Sequence, residues 1–119
     1  MKAFIISALL FSLLIALIIG NAIYVHRVSE QIRNKLDVLD QSNAEETLSY
    51  LEEYWQRHQP YIGLSVSYRE LDHLSELLLS LRASSETQNE QDFELYRKIA
   101  IDAADELSRL ERFSIENLF

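Results

Sequence analysis

The stretch that decides the fold is FIISALLFSLLIALIIGNAIYV, residues 4–25, which contains no charged side chain. With Ala3 it makes an uncharged run over residues 3–25. An α-helix of this length is roughly 34 Å long, enough to cross a bilayer hydrocarbon core of about 30 Å. A soluble core helix would need a polar face, which Ser7, Ser12 and Asn21 do not form. We therefore predict a transmembrane helix over 3–25, after a short tail at residues 1–2.

The alternative to a retained span is a cleaved export signal. Gly20-Asn21-Ala22 resembles a small-x-small cleavage site, and Lys2 supplies a positive start. However, the apolar run exceeds the usual signal core of about 7 to 15 residues. Apolar residues also continue past the cleavage site at helical spacing, at Val25, Val28, Ile32, Leu36 and Leu39. This continuity favours an uncleaved signal anchor whose helix runs on as a stalk to about residue 39.

The orientation of the span depends on two conflicting signals. Lys2 lies on one side, and Arg27, Arg33 and Lys35 lie on the other, so the positive-inside rule places the C-terminal part in the cytoplasm. An N-terminal lysine followed at once by a long apolar run is nevertheless how an export signal begins. We predict a single-pass protein of the cell membrane with its helical domain extracytoplasmic.

Small residues recur every fourth position along one row of the predicted span. The row is Ala8, Ser12, Ala16 and Gly20, with Asn21 beside it. Small residues allow close packing of helices in lipid, and an asparagine can hydrogen-bond across a helix pair. Ala, Ser and Gly together make up seven of the 23 residues, so the row also arises easily by chance. Helix packing through this row is therefore a hypothesis that the sequence leaves open.

Composition indicates an acidic helical domain after the span. The 119-residue chain has two Gly, one Pro and no Cys, which favours helices and excludes thiolate metal sites and a cysteine nucleophile. Residues 26–119 carry ten basic and nineteen acidic side chains, a net charge of −9. A surface of this charge repels phosphate backbones, which argues against nucleic-acid binding.

The remaining pattern predicts helices at about 26–40, 44–59, 67–83 and 91–112. Ser42 with Glu45 and Ser67 with Glu70 have capping-box spacing, and Pro60 should end or kink the second helix. Residues 84–91 are polar and are predicted to form a loop. The expected inward-facing residues are Leu48, Leu51, Trp55 and His58, then Leu71, Leu74, Leu77, Leu78 and Leu81, then Phe93, Tyr96, Ala100, Ala103, Leu107 and Leu110.

Two segments are harder to assign. YIGLSVSY (61–68) alternates like a strand, but no second strand candidate exists to pair with it, so we interpret it as an irregular or helical connector. Ser114 is expected to interrupt the last helix, leaving an apolar end of Ile115, Leu118 and Phe119. We expect this end to fold back over the bundle, with a partner-binding tail as the alternative. The predicted fold class is all-α, with an N-terminal transmembrane helix continuing into a small antiparallel helical bundle.

One pattern suggests chemistry. Glu70-x-x-His73, with Glu76 nearby, has the spacing that presents metal ligands on one helix face in di-metal bundles. Such sites need a second motif of this kind and two further carboxylates, and the sequence has only one Glu-x-x-His. A cation- or metal-binding bundle is therefore the alternative prediction, and the leading one has no cofactor.

The other candidate residues have structural interpretations. His26 fits a membrane-boundary residue, His58 a packing residue and Trp55 a core residue. The sequence has no Ser-His-Asp order, glycine-rich phosphate loop or HExxH motif, so we expect no enzymatic activity and no small-molecule substrate.

Several segments together resemble domain-of-unknown-function family 4363, small single-span proteins mainly of spore-forming Firmicutes. They are the apolar span, LSYLEEYWQRHQ (48–59), ELDHLSELLLSL (70–81) and the ending SIENLF (114–119). The resemblance implies a retained anchor, an all-helical domain, a Gram-positive-type envelope and a membrane-protein partner. That family has no assigned activity, so the resemblance assigns no role to any residue.

The leading functional hypothesis is a non-enzymatic, membrane-anchored interaction or accessory module. Its partners would be the lipid bilayer through residues 3–25 and either another membrane protein or a second copy of the chain. A tetratricopeptide-like peptide groove is a third possibility, but the sequence has no 34-residue repeat.

Overall fold

The computed structural model describes residues 1–62 and 66–118, with side chains in these ranges as far as Arg109. The described chain forms four helices and no strand: α1 (Lys2–Asp37), α2 (Ala44–Ile62), α3 (Tyr68–Glu86) and α4 (Glu90–Leu118). The prediction of an all-α antiparallel bundle with a long apolar first helix is confirmed. Of the strand-like segment, the described residues join α2 or α3 or lie just before α3, and 63–65 lie outside the described residues.

The second half of α1 is a core helix of the bundle, so the prediction of a stalk is wrong. The predicted apolar stripe lies in the core and is at most 3% exposed. It comprises Val25, Val28, Ile32 and Leu36 of α1 and Leu39 just beyond the end of the helix. α1 packs extensively against α4 and only slightly against α2. The Ser29 hydroxyl donates to the Ala104 carbonyl, and these small buried side chains let α1 and α4 approach closely. A stripe of this kind is stabilised by burial, which a stalk in water would not provide.

The predicted stripes of the other helices form the rest of the core. Fully buried are Leu48, Leu51 and Trp55 of α2, all five predicted leucines of α3, and Phe93, Ala100 and Leu107 of α4. The second buried alanine of α4 is Ala104 rather than the predicted Ala103, which is only half-buried, as is Tyr96. The Trp55 indole N–H donates to the Ser75 hydroxyl at 2.7 Å, so its one polar atom is satisfied.

The turn between α1 and α2 differs from the predicted capping box at Ser42. The Ser42 hydroxyl donates to the Asp40 carboxylate at 2.6 Å, and α2 begins one residue later than the box would require, after Asn43. The Asn43 side chain accepts the Asp40 N–H and donates to the Val38 carbonyl. Hydrogen bonds from Ser42 and the Asn43 N–H lower the pKa of Asp40. The Asp40 carboxylate, a strong acceptor, accepts the Ser42 and Asn43 N–H groups as well as the Ser42 hydroxyl, so these residues form a turn that precedes the helix.

Pro60 lies inside α2, which continues to Ile62, so the helix does not end near residue 59, and the alternative of a kink at Pro60 stays a prediction. A proline in the last turn of a helix removes one backbone hydrogen bond, and only Tyr61 and Ile62 follow it in α2. Ile62 is completely buried, which fixes that turn against the core.

The ends of α3 make tight connections. Ser67 is the N-cap of α3 as predicted, although its hydroxyl accepts the Arg69 N–H rather than forming the reciprocal box with Glu70. At the other end the Gln88 N–H donates to the Ser85 carbonyl and the Asn89 N–H to the Ser84 carbonyl, with Gln88 left-handed at φ 55°. This is a Schellman C-cap.

The predicted loop over 84–91 is therefore too long. α3 ends at Glu86 and α4 begins at Glu90, because Asn89 also caps α4 by accepting the Asp92 N–H at 3.1 Å. The predicted interruption at Ser114 is also wrong, since α4 is continuous to Leu118. The side chains of Leu110, Ile115 and Leu118, and the whole of Phe119, lie outside the described residues, so the expected apolar plug stays a prediction.

Candidate functional site

The first half of α1 is an apolar helix that the bundle leaves uncovered. Every residue from Lys2 to Gly20 is exposed except Ile15 and Ile18, which are half-buried. An 18-residue window of this helix has a mean hydropathy of 2.8 with none of it buried. Among the described helices α1 is the one long and apolar enough to cross a membrane. We call residues 2–20 the apolar segment.

The small-residue row lies on the surface of the apolar segment. Ala8, Ser12, Ala16 and Gly20 are all exposed, and a Cβ added at Gly20 would meet no atom within 4 Å. Asn21 differs, because it is half-buried where the bundle begins and already has an interaction partner in the chain. The structure therefore separates Asn21 from the four residues with which the sequence grouped it.

The apolar run and the bundle share one helical turn. Val25 is completely buried in the core, and the Tyr24 hydroxyl lies 2.5 Å from Nδ1 of His58 on α2. The last residues of the predicted span are thus part of the bundle. α1 passes from the apolar segment into the bundle as one uninterrupted helix.

An aromatic seam joins α1 to α2 at and beyond this turn. The His58 ring also packs on Tyr54 with centroids 4.4 Å apart, and Tyr54 stacks on Tyr50 at 5.8 Å. Burial lowers the pKa of His58, and the Arg57 guanidinium lowers it further. Burial raises the pKa of Tyr54, with smaller contributions from the neighbouring tyrosines. His58 therefore favours the neutral imidazole, consistent with its predicted role as a packing residue.

At the end of the seam that lies farthest from the apolar segment, two side chains of α1 contact Tyr50 of α2. The Lys35 ammonium lies 4.6 Å from the centroid of the Tyr50 ring, and the Gln31 amide donates to the Tyr50 hydroxyl at 2.9 Å. These contacts connect two helices that pack only slightly against each other, so the seam supplies directional contacts where apolar packing is sparse.

A shallow ionic cleft of about 330 Å³ lies between α1 and α4. His26 Nδ1 is 2.8 Å from the Ser108 hydroxyl, and its Nε2 is 3.6 Å from the Glu30 carboxylate. Arg33 and Asp105 form an ion pair at 3.5 Å across the cleft. His26 thus contacts α4, which is more specific than the boundary role predicted for it.

His26 contacts both Ser108 and Glu30, and a serine, a histidine and a carboxylate in contact are the groups of a hydrolase triad. The surroundings do not support that chemistry. An acyl-transfer site needs backbone N–H groups aimed at a developing oxyanion, and Ser108 lies inside α4, where the N–H groups serve the helix. The His26 and Glu30 side chains are also 57% and 60% exposed, so water competes for their contact. We interpret the trio as surface hydrogen bonding between α1 and α4.

The alternative metal ligands Glu70, His73 and Glu76 line one shallow depression on α3, together with Tyr68, Arg69 and Asp72. Within the described residues, no three His, Cys, Asp or Glu side chains lie close enough together to hold a metal ion. Three carboxylates of α2 form ion pairs with arginines. Glu45 and Glu52 bind Arg82, and Glu53 binds Arg57.

Two arginines act as clamps that the sequence pattern did not reveal. Arg82 of α3 donates to the Glu52 carboxylate at 2.6 Å and to the Ser49 hydroxyl at 3.1 Å on α2. Hydrogen bonding and the two carboxylate charges raise the pKa of Arg82. Arg97 of α4 donates to the Leu36 carbonyl at 3.1 Å, at the end of α1. The same guanidinium also donates to the Glu94 carboxylate. The hydrogen bonds from Arg97 lower the pKa of Glu94.

Comparison with protein-family models, with curated proteins and with solved structures found no match to this chain. The resemblance to family 4363 therefore stays a prediction.

Proposed function

We propose that the protein is a single-pass, membrane-anchored interaction module that works by contact with a partner rather than by catalysis. The observation that carries the proposal is the uncovered apolar segment of α1. Most large apolar side chains along it are more than half exposed, for example Phe4 at 77% and Leu9 at 66%. Exposed apolar surface on this scale is stable in lipid and unfavourable in water.

The bundle interior supports a contact role. In the part of the chain whose side chains are described, the buried polar residues are Ser29 and Ser84, and both donate to backbone carbonyls. Buried titratable groups with shifted pKa values are the usual mark of an active site, and the described interior is otherwise apolar. The histidines lie at or near the surface in hydrogen-bonding or packing positions.

The partner we propose for the apolar segment is a second transmembrane helix, in another membrane protein or in a second copy of this chain. Ala8, Ser12, Ala16 and Gly20 form its contact row, because a small-residue row lets two backbones approach closely in lipid. Nothing in the described fold covers this row, and Gly20 has open space around it.

The test is association of the full chain in a membrane reporter assay. Changing Ala16 and Gly20 together to Leu should abolish association if the row is the contact surface. Ser7→Leu is the matched control, since it makes the same kind of small-to-large change on a different side of the helix. An undiminished signal from the double variant, or an equal loss from S7L, would remove the row as the contact surface.

We place the bundle on the extracytoplasmic side, as the N-terminal Lys2 and apolar run favour. Because the chain has no cysteine, Gln88→Cys in the exposed α3–α4 turn gives a single reactive site. A membrane-impermeant maleimide should label it in intact cells. Labelling that appears only after permeabilisation would put the bundle in the cytoplasm.

A further inference from the structure

Two tyrosines at one end of the bundle, outside the aromatic seam, are far more exposed than the aromatic residues of the seam. Tyr61, in the last turn of α2, is 62% exposed, and Tyr68, at the start of α3, is 72% exposed. Tyr24 and Tyr54 are half-buried by comparison. We call the end that carries Tyr24, His58, Tyr61 and Tyr68 the base of the bundle.

The register of α1 and α2 places the base beside the apolar segment. Tyr24 contacts His58, and Gln31 contacts Tyr50, so the two helices run antiparallel with nearly matched steps. Tyr61 is three residues beyond His58, which is about 4.5 Å further along α2. It therefore lies level with the turn of α1 that precedes Tyr24, where Ile23 and Ile19 are still 51% and 42% exposed.

The register of α2 and α3 places Tyr68 at the same end. Trp55 bonds to Ser75, and Tyr68 precedes Ser75 by seven residues, or about 10 Å of helix, in the direction of the base. Near the end of α2 the Val66 N–H donates to the Ile62 carbonyl at 3.1 Å, which keeps the described part of the connector close to the base. The two exposed tyrosines thus lie at the same height along the bundle as the turn of α1 where the exposed apolar segment ends and the buried stripe begins.

The length of the apolar segment gives this level a physical meaning. Residues 2–20 form a helix of about 28 Å, close to the thickness of a bilayer hydrocarbon core of about 30 Å. The water–lipid boundary then falls near residues 20–23 of α1. Tyrosine prefers this boundary, because its ring is apolar and its hydroxyl hydrogen-bonds to water and headgroups.

We propose that the base of the bundle is seated in the lipid headgroup layer, with Tyr61 and Tyr68 as interfacial anchors on either side of the α2–α3 connection. The partner of this surface is the bilayer interface itself. The inference rests on the proposed membrane span. It deepens that proposal, since a bundle attached to the membrane through α1, Tyr61 and Tyr68 has a fixed orientation relative to the bilayer.

The test measures the depth of single spin labels in full-length protein reconstituted in phosphatidylcholine vesicles. Labels at Pro60→Cys and Arg69→Cys flank the tyrosines and leave them in place. Phe11→Cys in the apolar segment and Glu86→Cys at the far end of α3 are the references. Collisions with oxygen report the hydrocarbon core, and collisions with a water-soluble nickel complex report water. We expect oxygen to dominate at residue 11 and the nickel complex at residue 86. The labels at residues 60 and 69 should give an intermediate ratio, which corresponds to headgroup depth.

The outcomes separate this inference from the proposed function. Aqueous labels at residues 60 and 69 with a deep label at residue 11 would overturn the seating of the base and leave the span intact. An aqueous label at residue 11 would overturn the span itself. Trp55 fluorescence checks that each variant is folded, because the single tryptophan is buried in the core.

A second arm tests the tyrosines directly. Changing Tyr61 and Tyr68 together to Ser should increase the collisions of the labels at residues 60 and 69 with the nickel complex, because the base then lies further out in water. Leu79→Ser, which removes another exposed apolar side chain of α3, should leave them unmoved. Labels that keep their depth in the double variant would show that the tyrosines do not hold the base.

Discussion

The two halves of α1 belong to one continuous helix but have opposite environments. Residues 2–20 are apolar on all sides and almost entirely exposed, whereas the half from Val25 to Leu36 is apolar along one stripe and buries that stripe completely. The charged residues of the second half lie at the surface, where Arg33 forms an ion pair with Asp105. An all-round apolar helix has no preferred face for a small bundle, while a single stripe fits against α4. The distribution of apolar residues around the helix, more than their number, separates the two halves.

The sharpest test of this comparison uses the same substitution in both halves. Ile32→Ala removes a completely buried side chain and should lower the free energy of unfolding by about 2–5 kcal/mol. Ile6→Ala, at a residue 57% exposed, should change it by less than about 0.5 kcal/mol. Urea unfolding of the full chain in detergent, followed by Trp55 fluorescence, measures both. Equal losses would mean that the apolar segment is part of the folding unit.

A smaller effect is expected at the end of the buried half. Arg97→Met keeps the apolar stem but removes the guanidinium that donates to the Leu36 carbonyl. We expect a loss of about 1.5–3 kcal/mol, typical of a hydrogen bond from a charged group. The control is Arg109→Met, whose side chain is 67% exposed and pairs with Glu106, and it should cost about 0–1 kcal/mol. If both variants unfold alike, Arg97 does not cap α1.

The smallest effect concerns the turn that the two halves share, where Tyr24, Tyr54 and Arg57 surround His58. Because the folded chain lowers the pKa of His58, the unfolded chain takes up its proton first as the pH falls. This contribution to stability is therefore present above the unfolded pKa of about 6.5 and declines as the pH falls below it. His58→Phe keeps a ring but cannot titrate, so it should flatten the decline between about pH 7.5 and 5.5.

His73→Gln is the matched control for the pH dependence, since His73 is exposed on α3. Urea unfolding at a series of pH values should give the wild-type slope for H73Q and a shallower one for H58F. A slope that H58F leaves unchanged would exclude His58 as its source.

The residues that form the core were largely predictable. The stripe in each helix follows from spacings of three and four, and Leu71, Leu74 and Leu81 are buried as that spacing requires. The helix ends were less predictable. Ser42, Pro60 and Ser114 carry strong local signals, yet hydrogen bonds to Asp40 hold Ser42 in the turn before α2, and α2 and α4 continue past the other two residues. A local signal competes with nearby charged acceptors and with packing, and a pattern alone does not weigh them.

The candidate site was predictable in part. The apolar segment and its small-residue row can be seen in the sequence, but the grouping of Asn21 with the row cannot be judged until its burial is known. The aromatic seam had a visible signal, because Tyr50, Tyr54 and His58 recur every fourth residue on α2. Its partners Tyr24 and Lys35 lie on another helix, and the register that brings them together is set by the whole bundle.

The sequence by itself determined the helical class, the faces that enter the core and the presence of one segment able to cross a membrane, since these depend on composition and on periodicity within a single helix. Only the tertiary structure decided that α1 pairs chiefly with α4, that Arg82 and Arg97 clamp neighbouring helices and that two exposed tyrosines lie level with the end of the apolar segment. Those contacts join residues far apart along the chain. They depend on the alignment of antiparallel helices, which is fixed only when all four helices pack around the common core.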